Sequence, residues 1–209
     1  MEKLDVKREY KHLYRASSQA VSEVVVPGLP FMMVDGAGDP NGPAFSKAVQ
    51  ALYTLSYTLK FWAKKHEAPA GWREFSVAPL EGLWDVPGVD GPFAASAPRN
   101  LWRWTVMIMQ PAFITPELVA SAQTAAAERK PEVDTSLVRL ERFEEGRSVQ
   151  IMHIGPYSTE LPSIMKLDAY MNEHQLTSQG RHHEIYLSDP MKTAPERLKT
   201  ILRHPVTPA

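Results

Sequence analysis

Between Ala44 and Lys65, apolar side chains stand at Phe45, Val49, Leu52, Leu59 and Ala63, with Ser56 filling the same stripe. The steps of three and four, with no Pro or Gly between them, predict a helix with one buried face. Elsewhere the pattern changes. Val24 to Val34 is apolar almost throughout, interrupted by Pro27 and Pro30, and predicts an extended, β-rich segment that ends in the loop cluster DGAGDPNGP. Arg73 to Val86 predicts further extended structure. Leu101 to Gln110 (LWRWTVMIMQ), rich in aromatic and branched residues, predicts a buried strand after a loop over 87–100.

Thr115, Pro116 and Glu117 form a helix start, with a capping hydroxyl, a proline in the first turn and a carboxylate at the positive end of the dipole. Pro131 stops this helix, and its alanine-rich face predicts a loosely packed connector over about 115–130. The second half then repeats the grammar of the first. Strands are expected at 136–143 and 147–154, a turn at Gly155 and Pro156, a helix at about 159–174, and strands at 181–188 and 199–206. VDG before the first helix answers HIGP before the second, PLEGLW answers HHEIYL, and VMIMQP answers TILRHP.

That order predicts an α+β fold with two pseudo-equivalent strand-helix-strand-strand units, about 23–111 and 136–206, within one domain over 23–206. Their strands either join into one sheet or face each other, with helices on one side and a ligand groove between the units. Residues 1–22 hold too little apolar surface for an independent domain and read as an N-terminal arm or a short leading helix.

Composition narrows the chemistry. With 23 Lys and Arg against 24 Asp and Glu, the net charge is -1, so no global field gathers phosphates and direct nucleic-acid binding is not expected. No run of about 18 apolar residues occurs, so no membrane span is expected. The charged stretch Met1 to Tyr14 is unlike a secretory leader, so a cytoplasmic location is expected. The absence of Cys excludes disulfides, thiolate nucleophiles and Cys-based zinc sites. GxGxxG, GxxxxGK and GxSxG patterns are all missing.

Strand alternation in HHEIYLSDP places His182, Glu184 and Tyr186 on one face and His183, Ile185 and Leu187 on the other. Glu184 has two readings. On a surface strand it is a solvated charge; among apolar walls its pKa rises and it can act as a general base or as a counter-charge for a cation. Glu81 and Trp84 share that ambiguity, with Gly82 hinting at a bulge or a close backbone approach. Trp102 and Trp104 either line a flat stacking wall or fill the core. Tyr53 and Tyr57 lie at the rim of the first helix's buried face, and Tyr157 follows the Gly155–Pro156 turn at a helix start. His153, His182, His183 and His204 suit a metal or haem, but no HExxH occurs and His182 and His183 point to opposite sides, so no metal or other cofactor is expected.

The segments PLEGLW, WTVMIMQP, SVQIMHIGPYSTE, HHEIYLSDP and KTAPERLKTILRHPV resemble the GyrI-like small-molecule-binding family, over about Lys7 to Val206. More narrowly, they resemble its stand-alone bacterial branch. The resemblance implies a duplicated SHS2 fold of two β-α-β-β units, with a pocket across the pseudo-dyad and Glu184 inside an aromatic pocket. It also implies that the partner is a lipophilic aromatic small molecule. Some members of this branch hydrolyse cyclopropane-bearing DNA-alkylating natural products of the yatakemycin and CC-1065 type, which would make this chain a detoxifying hydrolase.

On that reading Glu184 is the base that activates water and Tyr57 or Tyr157 hydrogen-bonds the carbonyl. Glu81, Trp84, Trp104, Tyr157, Tyr186 and His183 bind substrate. The alternative is a non-catalytic module that binds or sequesters drugs, with Glu184 as a counter-charge. A topoisomerase inhibitor and a haem protein are further classes, and no residue pattern identifies either. The sequence does not define the oligomeric state.

Overall fold

A computed structural model of the chain describes residues 3–88 and 97–209, so the part of the expected 87–100 loop over 89–96 lies outside the described residues. The architecture is α+β. Among the described residues nine strands, all paired antiparallel, make the sheet: β1 (Ser22–Val26), β2 (Leu29–Ala37), β3 (Leu80–Asp85), β4 (Arg103–Met109), β5 (Arg139–Phe143), β6 (Gly146–Ile154), β7 (Leu176–Ser178), β8 (His182–Tyr186) and β9 (Lys199–Pro208). The α-helices are α1 (Val6–Glu9), α2 (Pro43–Lys60), α3 (Pro116–Arg129) and α4 (Leu161–Glu173). Among the described residues, no helix is long and apolar enough to cross a membrane.

The strand order β1-β6-β9-β8-β3-β4-β2-β5 contains the expected duplication. One unit is β2-α2-β3-β4 and the other β6-α4-β8-β9, and they meet where β3 pairs with β8. Each unit's leading strand is exchanged, because β1 pairs with β6 and β5 with β2. A single register runs through both ladders, from Ser22 opposite Gln150 to Met33 opposite Arg139. The chain crosses between the ladders at Pro27–Gly28 and at Glu144–Glu145. The proline that breaks the apolar run in sequence therefore marks a change of partner within one long strand.

Helix α2 turns Leu52, Leu55 and Leu59 into the core with no exposure, each contributing about 1.5–3 kcal/mol. It ends at Lys60, short of the expected Lys65, because beyond Leu59 no residue of this segment is fully buried. Strand β2 runs into the expected loop as far as Ala37, since Asp35, Gly36 and Ala37 pair with Thr105, Trp104 and Arg103. Of the extended segment expected over 73–86 only β3 joins the main sheet; Phe75 instead bridges to Leu4. Helices α2 and α4 cover one face of the sheet, and α4 packs Ile164, Leu167 and Met171 on Val149, Ile151 and Leu202. The leading segment covers the opposite face, with Leu4, Val6, Leu13 and Tyr14 buried.

Candidate functional site

The two faces of the β3–β8 seam carry different chemistry. On the helix-covered face Glu184 stands directly across from Gly82, flanked by the pairs Trp84–His182 and Leu80–Tyr186. A Cβ on Gly82 would lie 2.8 Å from Trp84 Nε1 and 3.1 Å from the Tyr186 hydroxyl, so the glycine makes the room in which those two groups converge. Tyr186 donates to Glu184 Oε2 at 2.7 Å, and His182 Nε2 lies 3.3 Å from Glu184 Oε1. The Tyr157 ring meets that of Tyr186 edge-on at 5.6 Å. Trp84 is stacked on Phe45 of α2 and meets Trp102 edge-on.

Glu160 completes this cluster. It occupies the N-cap position of α4 but makes no capping hydrogen bond, and its carboxyl is buried beside Glu184 with Oε1 unpartnered. His153 secures the turn that places it, bonding Ser163 Oγ at 3.1 Å and the Pro156 carbonyl at 3.1 Å. Burial, reinforced by the Glu184 charge, pushes the Glu160 pKa up to about 10, so this carboxyl keeps its proton at neutral pH. Burial and the same charge push Tyr157 up to about 12. His182 Nδ1 is 2.7 Å from His204 Nε2, and burial together with His182 lowers the His204 pKa to about 3, so that ring is neutral. Glu160, His182 and Glu184 bring ligand atoms within 4.8 Å of one another, close enough to grip a metal ion.

Glu81 and His183 belong to the opposite face. His183 is held between Glu81 Oε2 and Glu145 Oε2, each at 3.0 Å. Tyr14 donates to Glu81 Oε1 at 2.6 Å, and Arg203 donates to Glu145 at 3.2 Å, to Gln150 at 2.9 Å and to the Leu13 carbonyl at 2.6 Å. Burial alone would raise Glu145, yet His183 and Arg203 hold it at about 2. Burial likewise opposes the charge on His183, but Glu145 and Glu81 raise its pKa. This network ties the leading segment to the sheet. The Glu81 side chain is 2% exposed against 11% for Glu184, so of the two carboxylates Glu184 is the one that solvent reaches.

The residues expected at one site therefore separate. Glu184, Trp84, Tyr157 and Tyr186 come together, whereas Glu81 and His183 do not join them. Glu81 pairs with Ile185, which puts it on the face opposite Glu184. Trp104 fills core, lying over Gly36 and edge-on to Phe45 at 5.1 Å. Tyr57, half-exposed, stacks between Tyr53 and Phe61 and makes no hydrogen bond or ring contact with the Glu184 cluster among the described residues. Glu160, at the end of the GPYSTE segment, is a site residue that no sequence motif singles out. Its signal was a glutamate where a short capping side chain is preferred.

A family model described as a GyrI-like small molecule binding domain matches residues 110–207. A solved structure described as an uncharacterized conserved protein from Listeria innocua is 43% identical, with a TM-score of 0.91 over 98% of this chain and 100% of that one. Two structures from the same organism described as hydrolases are each 41% identical and fully covered; their TM-scores are 0.88 over 98% and 0.90 over 99% of this chain. No curated protein matches the chain.

Proposed function

Because the chain belongs to the GyrI-like small-molecule-binding family, we propose that it is a hydrolase of flat, apolar aromatic molecules, opening the cyclopropane of genotoxins of the yatakemycin and CC-1065 type. The observation that carries the reading is the pair of adjacent buried carboxyl groups, Glu184 and Glu160, one of them protonated, beside Trp84, Tyr157 and Tyr186. A carboxyl group that accepts a proton beside one that holds its own is what addition of water across a strained, conjugated ring requires.

In the proposed reaction Glu184 takes a proton from water as the water oxygen bonds to the cyclopropane methylene. The ring C–C bond breaks, and its electron pair moves through the conjugated system to the carbonyl, which becomes a phenolate. Tyr157, protonated at neutral pH, donates a hydrogen bond to that oxygen. Glu160 supplies the proton that converts phenolate to phenol, and proton exchange between the two carboxyl groups restores the starting state. The net change is one water added, and an alkylating electrophile is lost.

The test is to incubate the protein with a cyclopropane-bearing duocarmycin-type compound and follow the product by mass spectrometry, beside Glu184→Gln and Glu160→Gln variants. The expected result is many turnovers with a gain of one water, lost in the Glu184 variant and reduced about 10²–10⁴-fold in the Glu160 variant. Turnover should survive dialysis against a chelator. Loss on chelation, with recovery on adding a divalent cation, would move the chemistry to a metal held by Glu160, His182 and Glu184. Stoichiometric binding without turnover would overturn the hydrolase reading in favour of a sequestering module.

A further inference from the structure

A cavity of about 370 Å³ lies between α2 and the C-terminal end of α3, and no residue of the Glu184 cluster lines it. Its wall on α2 is the ladder Tyr53, Tyr57 and Phe61, one residue per helical turn, with ring centroids 6.4 and 6.3 Å apart and planes within 30° of parallel. Tyr57 and Phe61 are 46% and 43% exposed, so large aromatic side chains border water on a helix whose opposite side is fully buried. Its other wall holds Ala126, Arg129 and Lys130. The small side chain at Ala126 keeps the trough wide.

The charge on this trough has one sign. Arg129 and Lys130 make no ion pair among the described residues, and no carboxylate lines the cavity. Lys60 sits 5.2 Å from the Tyr57 and Phe61 ring centroids, adding a third cation beside the ladder. A flat hydrophobic wall facing two unpaired cations is complementary to a ligand that is flat on one side and anionic at its end.

From this geometry we infer that the α2–α3 trough is a second binding site, for planar aromatic anions. The ring system lies along Tyr53, Tyr57 and Phe61, and its carboxylate or sulfonate meets Arg129 and Lys130. The site is independent of the hydrolase reading, because none of these side chains takes part in the proposed reaction. It gives Tyr57, which sequence reasoning placed in catalysis, a stacking role.

The test is calorimetric titration with 2-naphthoate and with its uncharged analogue 2-naphthylmethanol. The expected result is naphthoate binding at least about tenfold tighter than the alcohol. That preference should vanish in the Arg129→Ala/Lys130→Ala double variant. Affinity for both probes should fall in Tyr57→Ala, and Glu184→Gln should bind as the parent does. Equal affinity for the two probes, or a preference that survives the double variant, would overturn the proposal. Loss of naphthoate binding in Glu184→Gln would also overturn it, by placing the probe in the Glu184 pocket and leaving the hydrolase reading untouched.

Discussion

At the scale of single residues, the site depends on one missing side chain and one silent imidazole. Gly82→Ala introduces a methyl group 2.8 Å from the Trp84 indole nitrogen, and the buried indole, stacked on Phe45, has little room to retreat. A loss of about 1–3 kcal/mol in urea unfolding is expected, together with loss of turnover, because the Tyr186 hydroxyl is displaced with it. His204 makes the acid side of stability readable. Its folded pKa of about 3 lies below the ordinary histidine value, so the unfolded chain takes up a proton that the folded chain refuses. The contribution is therefore complete above the ordinary value and is lost as pH falls toward about 3. Urea midpoints measured across that window should decline, by up to about 1.4 kcal/mol per pH unit for this group, and His204→Gln should flatten the slope by one proton.

At the scale of elements, the leading segment is part of the core. Besides Tyr14 and the Leu13 carbonyl, it accepts hydrogen bonds from Gln150 at the His12 and Arg15 carbonyls, and from the Met152 amide at the Ser17 carbonyl. Tyr14→Phe removes the donor to a sealed carboxylate, and a loss of about 1–3 kcal/mol is expected by thermal or urea denaturation. Arg203→Met leaves Glu145 without its guanidinium partner and is expected to cost about 3–5 kcal/mol. If the segment were a loose arm, Tyr14→Phe would leave the unfolding midpoint unmoved. Sequence reasoning described this segment by its charges, whereas the side chains that matter are Leu4, Val6, Leu13 and Tyr14, too few and too irregular to form a periodic stripe.

At the scale of the whole molecule, the strand exchange makes the two halves interdependent. A fragment over about 110–209 keeps β5, β6, β8 and β9 but loses β2, β1 and β3, the partners of β5, β6 and β8. Unpaired edges of this kind invite aggregation, so that fragment is expected to be disordered or self-associated by circular dichroism and gel filtration. A soluble, monomeric, cooperatively unfolding fragment would mean that the exchanged ladder is dispensable. The site lies where β3 and β8 pair, at the middle of the strand order.

Everything legible along the chain alone is local. The helical stripe from Phe45 to Leu59, the capped start at Thr115, the duplicated order of elements and the separation of His182 from His183 all follow from side-chain periods of 3.6 and 2 along a contiguous stretch. The candidacy of Glu184 was legible because it stands in a strand between two residues of its own face, His182 and Tyr186. Which distant groups meet depends on how separate elements pack. Glu160 reaches Glu184 because α4 begins over β8, and Glu81 leaves it because β3 and β8 pair Gly82, not Glu81, with Glu184. Register is a sum over contacts between separate strands, and a slip of one residue would exchange the faces of Glu81 and Gly82 without altering either local pattern.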